Sequence, residues 1–173
     1  EITTPSRCGR LDQGCAYGNR PVMMTFDGDR LDVEEIKVSQ TLHYVIVDLK
    51  AFKDTKEILS KLNKCYPFAD NEQQRKVQEY LGPINADIVS RAAKAVCSGD
   101  AETLGKLMRE AQAKFDEHLQ PVCPSQLTSP ILHKLLAYGP IQPYILGGKG
   151  VGSQGDGTAQ LLVKDSAAQD AVI

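Results

Sequence analysis

Residues 144–163 read YILGGKGVGSQGDGTAQLLV and place a glycine-rich segment between two apolar stretches. Residues 144–146 and 158–163 have the composition of short strands, and the second should be the last strand of the chain. Residues 147–157 between them hold six of the 14 glycines. Such a segment can adopt positive φ angles and bring backbone N–H groups close to an anion, to which Lys149 would add charge.

We interpret residues 147–157 as a candidate phosphate-side loop, and a flexible hairpin connection explains the same residues equally well. The spacing of the glycines differs from that of a dinucleotide-binding fingerprint. It also differs from a Walker A loop, because Lys149 precedes most of the glycines and no Lys-Ser/Thr pair ends the run.

The segments before the glycine-rich stretch predict strands followed by helices. Residues 22–26 and 31–36 alternate around Asp27-Gly28, which is the pattern of a β-hairpin. Residues 43–49 are nearly all apolar and predict a strand that is buried on both faces. From there to about residue 139 the apolar residues recur with a helical period.

Several helix boundaries can be read from capping residues. Asp54 and Glu57 are spaced as a capping box. Residues 85–96 form a second amphipathic stretch, and Ser129-Pro130 opens a helix that Gly139 should close. Asp100 can cap the clearest helix, whose apolar face carries Leu104, Leu107, Met108, Ala111, Phe115 and Leu119. Strand, helices, strand, loop and strand together predict an α+β fold, an antiparallel sheet with helices packed on one face.

Composition excludes several functional classes. The 173 residues carry 20 basic and 22 acidic side chains, so a polyanion such as nucleic acid is not an expected partner. No apolar run approaches the roughly 20 residues that a membrane helix needs. The five cysteines include no CxxC pair, which argues against a disulfide framework, against a metal site and for a cytoplasmic setting. No leader sequence is recognised, and a start with Glu1 suggests processing or a longer parent.

A second candidate site lies in residues 8–18, CGRLDQGCAYG. Asp12 next to Arg10 has the character of a general base that a cation keeps ionised, as is needed when an alcohol loses its proton while attacking phosphorus. An aspartate in a turn-rich stretch is more often a helix cap or a surface charge, and that interpretation has the greater weight from the residues alone.

Three segments in order resemble the GHMP kinases, the group that includes galactokinase and mevalonate kinase. Residues 8–18 are similar to the stretch of galactokinases in which a Gly and an Asp-Gln pair lie at the substrate. Residues 99–119, GDAETLGKLMREAQAKFDEHL, resemble the long helix of the family. Residues 147–162 resemble its third motif, a Lys-containing glycine loop that leads into a strand.

The resemblance implies roles for individual residues. Asp12 would be the catalytic carboxylate that faces the acceptor hydroxyl. The substrate pocket would be formed by Gly9, Arg10, Gln13, Gly150, Gly152 and Ser153, and the phosphate-side loop by Lys149, Gly155 and Gly157. The chain departs from the usual unbroken glycine run at Ser153, Gln154 and Asp156, and an acid beside phosphate is unfavourable unless its side chain points away.

The resemblance also implies an architecture and cofactors. Residues 1–40 would be the end of an N-terminal domain, including the hairpin, and residues 41–173 the ferredoxin-like C-terminal domain. ATP and Mg²⁺ would be the cofactors, held mostly by an upstream Pro-x-x-x-Gly-Leu-x-Ser-Ser motif and its neighbours, which the 173 residues do not contain. We therefore expect the C-terminal part of a kinase, inactive alone.

The favoured function is ATP-dependent phosphorylation of a hydroxyl on a sugar or similar small polyol, and Cys-Gly-x-x-Asp-Gln favours a sugar over mevalonate. One alternative is a non-catalytic ligand-binding or regulatory module on the same fold. Another is a decarboxylase of the same superfamily, which also needs an aspartate. The acceptor, the hydroxyl that is phosphorylated and the oligomeric state, with a homodimer as one option, are left open.

Overall fold

The computed structural model describes residues 21–173, and its elements follow the chain in this order. The strands are β1 (Val22–Asp27), β2 (Arg30–Glu35), β3 (His43–Asp48), β4 (Ile145–Gly150) and β5 (Thr158–Val163). The α-helices are α1 (Thr55–Asn63), α2 (Glu72–Glu79), α3 (Asn85–Ser98), α4 (Ala101–Leu119), α5 (Pro124–Leu127), α6 (Pro130–Leu136) and α7 (Ser166–Val172).

The main sheet has three antiparallel strands in the order β3-β5-β4. The central strand β5 is the most buried, and Leu161 and Leu162 have no exposed surface. Strand β3 lies at an edge, and Ile46 on it is 62% exposed. The prediction that this strand is buried on both faces is therefore wrong: an apolar run alone does not distinguish a central strand from an edge strand.

Helices cover both faces of this sheet. Tyr44 and Leu162 pack with α3 and α4 on one face. Val45, Leu161 and Val163 pack with residues of α6 and α7 on the other. The predicted α+β class with an antiparallel sheet is confirmed. The prediction that helices pack on one face only is wrong. Helix α6 was itself predicted from Ser129-Pro130. The face of the sheet on which it packs was not, because a helix's own residues do not identify that face.

Strands β1 and β2 form a separate two-stranded antiparallel sheet. Gly28 in the connecting turn has φ of +57°, which glycine adopts without strain. The hairpin predicted from residues 22–36 is thus confirmed as a hairpin. Its assignment to a preceding domain stays a prediction.

Helix α4 joins the sheet to a helical core. The side chain of Asp100 caps it by accepting a hydrogen bond from the N–H of Thr103 at 2.9 Å, as predicted. Met108 packs towards the sheet. Phe115 and Leu119 pack into a cluster formed with α1, α2 and α5. The apolar face of this one helix therefore contributes to two cores.

The capping box predicted at helix α1 forms only in part. Asp54 accepts hydrogen bonds from the N–H groups of Lys56 and Glu57, at 2.9 and 3.1 Å. Glu57 does not return a bond to Asp54, because Gln126 takes that place. The amide of Gln126 accepts from the N–H of Asp54 at 2.8 Å and donates to Glu57 at 3.0 Å. The start of α1 is thus tied to α5, 72 residues away.

Two features of the part of the chain that the structure describes bear on the expectations from composition. Cys65, Cys97 and Cys123 are free thiols there. Residues 21–173 also contain no helix that is long and apolar enough to cross a membrane.

Candidate functional site

The predicted site residues fall into two groups. Asp12, Gly9, Arg10 and Gln13 lie outside the described residues. The other predicted residues, namely Lys149, Gly150, Gly152, Ser153, Gly155 and Gly157, lie where strand β4 turns into strand β5.

The first part of the glycine-rich segment is strand, not loop. Strand β4 continues to Gly150 and is almost entirely buried. A Cβ on Gly147 or on Gly105 of helix α4 would overlap the backbone of the other element. A Cβ on Gly148 would lie 2.6 Å from a methyl group of Leu161. These glycines therefore allow α4 and β5 to pack closely against β4. Of the loop predicted over residues 147–157, residues 147–150 belong to the strand.

We call residues 151–157, which connect β4 to β5, the glycine turn. Gly152, Gln154 and Gly155 have φ angles of +62°, +62° and +70°. The turn is closed by hydrogen bonds from Val151 N to Thr158 O at 3.0 Å and from Gln154 N to Val151 O at 3.1 Å. Glycine occupies two of these three left-handed positions without strain. Gln154 occupies the third, where a residue with a side chain is less favourable.

Most N–H groups of the glycine turn have no hydrogen-bond partner among residues 21–173. Within residues 21–173, no hydrogen bond is donated by the backbone N–H of Gly152, Ser153, Gly155, Asp156 or Gly157. Successive N–H groups in a turn with left-handed residues form a concavity that suits an anion. The turn therefore offers a set of donors of the kind that binds a phosphate or carboxylate oxygen.

Two residues that the sequence interpretation did not select adjoin the glycine turn. The ammonium of Lys53 donates to Val151 O at 3.4 Å, and its aliphatic part lies against Gly157, where a Cβ would be 2.9 Å away. The hydroxyls of Thr55 and Ser153 are 3.3 Å apart. Burial lowers the pKa of Lys53. The sequence offers one signal for Lys53 and Thr55. They flank the predicted cap at Asp54, at the start of helix α1.

The side chain of Asp156 is engaged elsewhere. Its carboxylate accepts a hydrogen bond from the N–H of Leu132 in the first turn of helix α6, at 2.8 Å. This N–H is one of those that a helix leaves unpaired at its start. An acid in the glycine turn is thus explained as a contact that fastens the turn to α6.

Lys149 lies on strand β4 and not on the turn. Its ammonium donates to Gly150 O at 2.8 Å. Burial lowers the pKa of this ammonium, because removing the charged form from water is unfavourable. The next residue, Gly150, donates its N–H to the side chain of Gln112 at 2.8 Å. The end of the strand is therefore fixed to helix α4 immediately before the glycine turn.

The described residues differ in how well they fit the two expected cofactors. The N–H groups of the glycine turn that have no partner within residues 21–173, and the ammonium of Lys53 beside them, have the chemistry that suits a phosphate group. For Mg²⁺, residues 21–173 contain no cluster of three or more His, Cys, Asp or Glu residues that could hold a metal ion. Binding of ATP and of Mg²⁺ to this chain therefore stays a prediction.

No protein-family model and no curated protein matches the chain. Two solved structures are similar to it. One is L. major mevalonate kinase in complex with R-mevalonate, with a TM-score of 0.57, 20% identity and coverage of 87% of this chain and 42% of that one. The other is Lactococcus lactis galactokinase complexed with galactose, with a TM-score of 0.63, 16% identity and coverage of 90% and 45%.

Both of these proteins are GHMP kinases, so the resemblance seen in the sequence is matched by a shared fold. At 20% and 16% identity the likeness concerns the fold alone. The chain spans less than half the length of either kinase. The ferredoxin-like detail and the domain boundary at residue 40 stay predictions.

Proposed function

We propose that this chain is the C-terminal part of an ATP-dependent small-molecule kinase that phosphorylates a sugar hydroxyl, with Asp12 as the carboxylate that faces this hydroxyl. The observation that carries the proposal is the glycine turn, with five backbone N–H groups that have no partner within residues 21–173. It occurs on a fold shared with two kinases.

Phosphoryl transfer depends on positioning and on neutralising the charge of the phosphate oxygens. Backbone N–H groups in a rigid turn contribute to both without having to reorganise. Three contacts hold the turn in place. The ammonium of Lys53 donates to Val151 O, and the hydroxyl of Ser153 lies within hydrogen-bond distance of that of Thr55. The carboxylate of Asp156 accepts a hydrogen bond from helix α6. Gly152, Ser153, Gly155 and Gly157 would support the phosphate region and the acceptor, while Lys149 and Gly150 would fix the strand end behind them.

ATP supplies the phosphoryl group when it is bound with Mg²⁺. In this proposal the ligands of the metal and most of the nucleotide pocket belong to an upstream part of the kinase, as the resemblance to GHMP kinases implies. The carboxylate of Asp12 would accept the proton of the acceptor hydroxyl or stabilise its charge. The 173 residues alone should then bind ATP and the acceptor weakly and should not catalyse phosphoryl transfer.

The engagement of Asp156 also bears on the non-catalytic alternative. That alternative rests on the Ser-Gln-Gly-Asp sequence of residues 153–156 within the glycine turn and on the missing ATP-binding half. A carboxylate that bonds to the N–H of Leu132 is committed to helix α6, so it need not oppose a phosphate at the turn. This removes the objection that Asp156 raises against a phosphate site. The kinase stays the preferred function because of the resemblance to GHMP kinases, and a sugar stays the preferred acceptor because of the Cys-Gly-x-x-Asp-Gln pattern.

The test is ADP release by the full-length protein that contains this chain, with ATP, Mg²⁺ and a panel of hexoses, pentoses, uronic acids and mevalonate. We expect turnover on one sugar, no turnover by the 173-residue chain, and a loss of about 100-fold or more with Asp12→Asn. Asp170→Asn, an exposed position in α7, is the matched control and should keep its rate. A folded full-length protein that is silent across the panel would favour the binding module, and carbon dioxide release without a kinase product would favour the decarboxylase.

A further inference from the structure

A cavity of about 340 Å³ lies beside the glycine turn, between helices α3 and α4 and the end of strand β4. Its walls are mainly aliphatic and aromatic and include Tyr80, Ile88, Leu107, Met108 and Phe115. Each of these five side chains is otherwise buried, with exposures of 4–6%. Cavities of this size with apolar walls and a few polar groups are typical of small-molecule sites.

Lys149 provides a positive charge at the wall of this cavity. Its ammonium has three donors, and Gly150 O accepts one of them at 2.8 Å. Within residues 21–173, no carboxylate forms an ion pair with it. Because a cation that is partly withdrawn from water and not paired is unfavourable, an anion in the cavity would offset that cost.

Gln154 lines the same cavity and is only 2% exposed. Its Oε1 atom lies against Gly150, where a Cβ would be 2.7 Å away, and beside Leu132 of helix α6. This oxygen has almost no accessible surface and no hydrogen-bond partner among the described residues, so it does not face the cavity. The polar group that the cavity offers to a ligand is therefore the ammonium of Lys149.

We propose that this cavity binds an amphiphilic organic acid, with its anionic head group at the ammonium of Lys149 and its apolar body between helices α3 and α4. A sugar fits these walls poorly, because its hydroxyls would lose water without finding partners. A neutral lipid would leave the ammonium unpaired. The cavity adjoins the glycine turn proposed for phosphate. Gly152 and Gln154 of that turn also line the cavity, so an occupant would contact the turn.

The test is calorimetric titration of the full 173-residue chain at neutral pH with decanoate and decyl phosphate below their micelle concentrations. No nucleotide is present, so failure here is distinguishable from failure of the kinase proposal. We expect saturable binding of at least one of the two acids, and the stronger one identifies the head group. Decan-1-ol lacks the anionic head group and butanoate lacks the long apolar body. The affinity of each should therefore be lower by about tenfold or more.

Two variants locate the binding. Lys149→Met keeps the apolar stem and removes the charge, and Ala92→Phe fills the cavity from helix α3. Each should weaken binding about tenfold or more. Lys164→Met, an exposed position after β5, is the matched control and should bind like the original chain. Circular dichroism identifies the variants that keep their fold. No binding of either acid by the folded chain, or unchanged affinity in either folded variant, would overturn the proposal.

Discussion

The carboxylate of Asp156 accepts a hydrogen bond from the N–H of Leu132 at 2.8 Å, and Leu132 itself is fully buried. Asp156→Ala leaves this N–H at the start of α6 without its partner. We expect the free energy of unfolding to fall by about 1–2 kcal/mol, the usual loss for a helix cap. Urea titration followed by circular dichroism measures it.

Two companion variants separate the hydrogen bond from the charge. Asp156→Asn keeps an oxygen that can accept from Leu132 and should lose less than half as much stability. Asp170→Ala, at an exposed position, should change the free energy of unfolding by less than about 0.5 kcal/mol. Equal losses in Asp156→Ala and Asp170→Ala would show that the contact contributes nothing.

Individual site residues were predictable only where their neighbours are local. Ser153, Gly155 and Gly157 do lie in the turn between the last two strands. The role of Asp156 depends on a helix that starts 26 residues earlier, and Lys53 approaches Val151 from 98 residues away. Neither contact leaves a local pattern, because both arise from packing between distant parts of the chain.

At the scale of elements, Gln126 joins helix α5 to the start of helix α1. Its amide accepts from the N–H of Asp54 and donates to Glu57, at 2.8 and 3.0 Å. Gln126→Leu removes both bonds and leaves the N–H of Asp54 without this acceptor. We expect a loss of about 1–3 kcal/mol in the free energy of unfolding, measured by urea titration.

The matched control for Gln126 is Gln120→Leu, at a half-buried position just after helix α4. It tests the same change of side chain outside the contact between α5 and α1 and should be nearly neutral. If the two variants lose the same stability, the loss is due to the substitution itself and not to the bonds of Gln126.

The elements that were predicted well carry their signal in their own residues. Helix α4 repeats its apolar side chains over 19 residues, and β5 matches its predicted bounds of 158–163. The prediction ended strand β4 too early, at residue 146, because glycine usually indicates a loop. Here Gly147 is required by contact with Gly105, 42 positions earlier in the chain. Helix-to-strand contact of this kind can be recognised only once the two elements are seen side by side.

At the scale of the whole molecule, helix α4 is the one element among those described that supplies several buried residues to both the helical core and the sheet-facing core. Its 19 residues extend over about 28 Å. Leu104 and Met108 pack against the sheet, and Phe115 and Leu119 pack with α1 and α2. If this helix unfolds as a unit, the two cores should lose their structure together.

Leu119→Ala tests this coupling, because Leu119 has no exposed surface and lies in the helical core. The cavity that it leaves should cost about 2–5 kcal/mol. Native-state hydrogen exchange should then show the same loss of protection at Leu162 in β5 as at Ile58 in α1. Ile46→Ala, on the exposed side of β3, should alter neither. Loss at Ile58 with unchanged protection at Leu162 would mean that the helical core opens independently. In that case the flank of α1, from which Lys53 and Thr55 reach the glycine turn, could separate from the turn without unfolding the sheet.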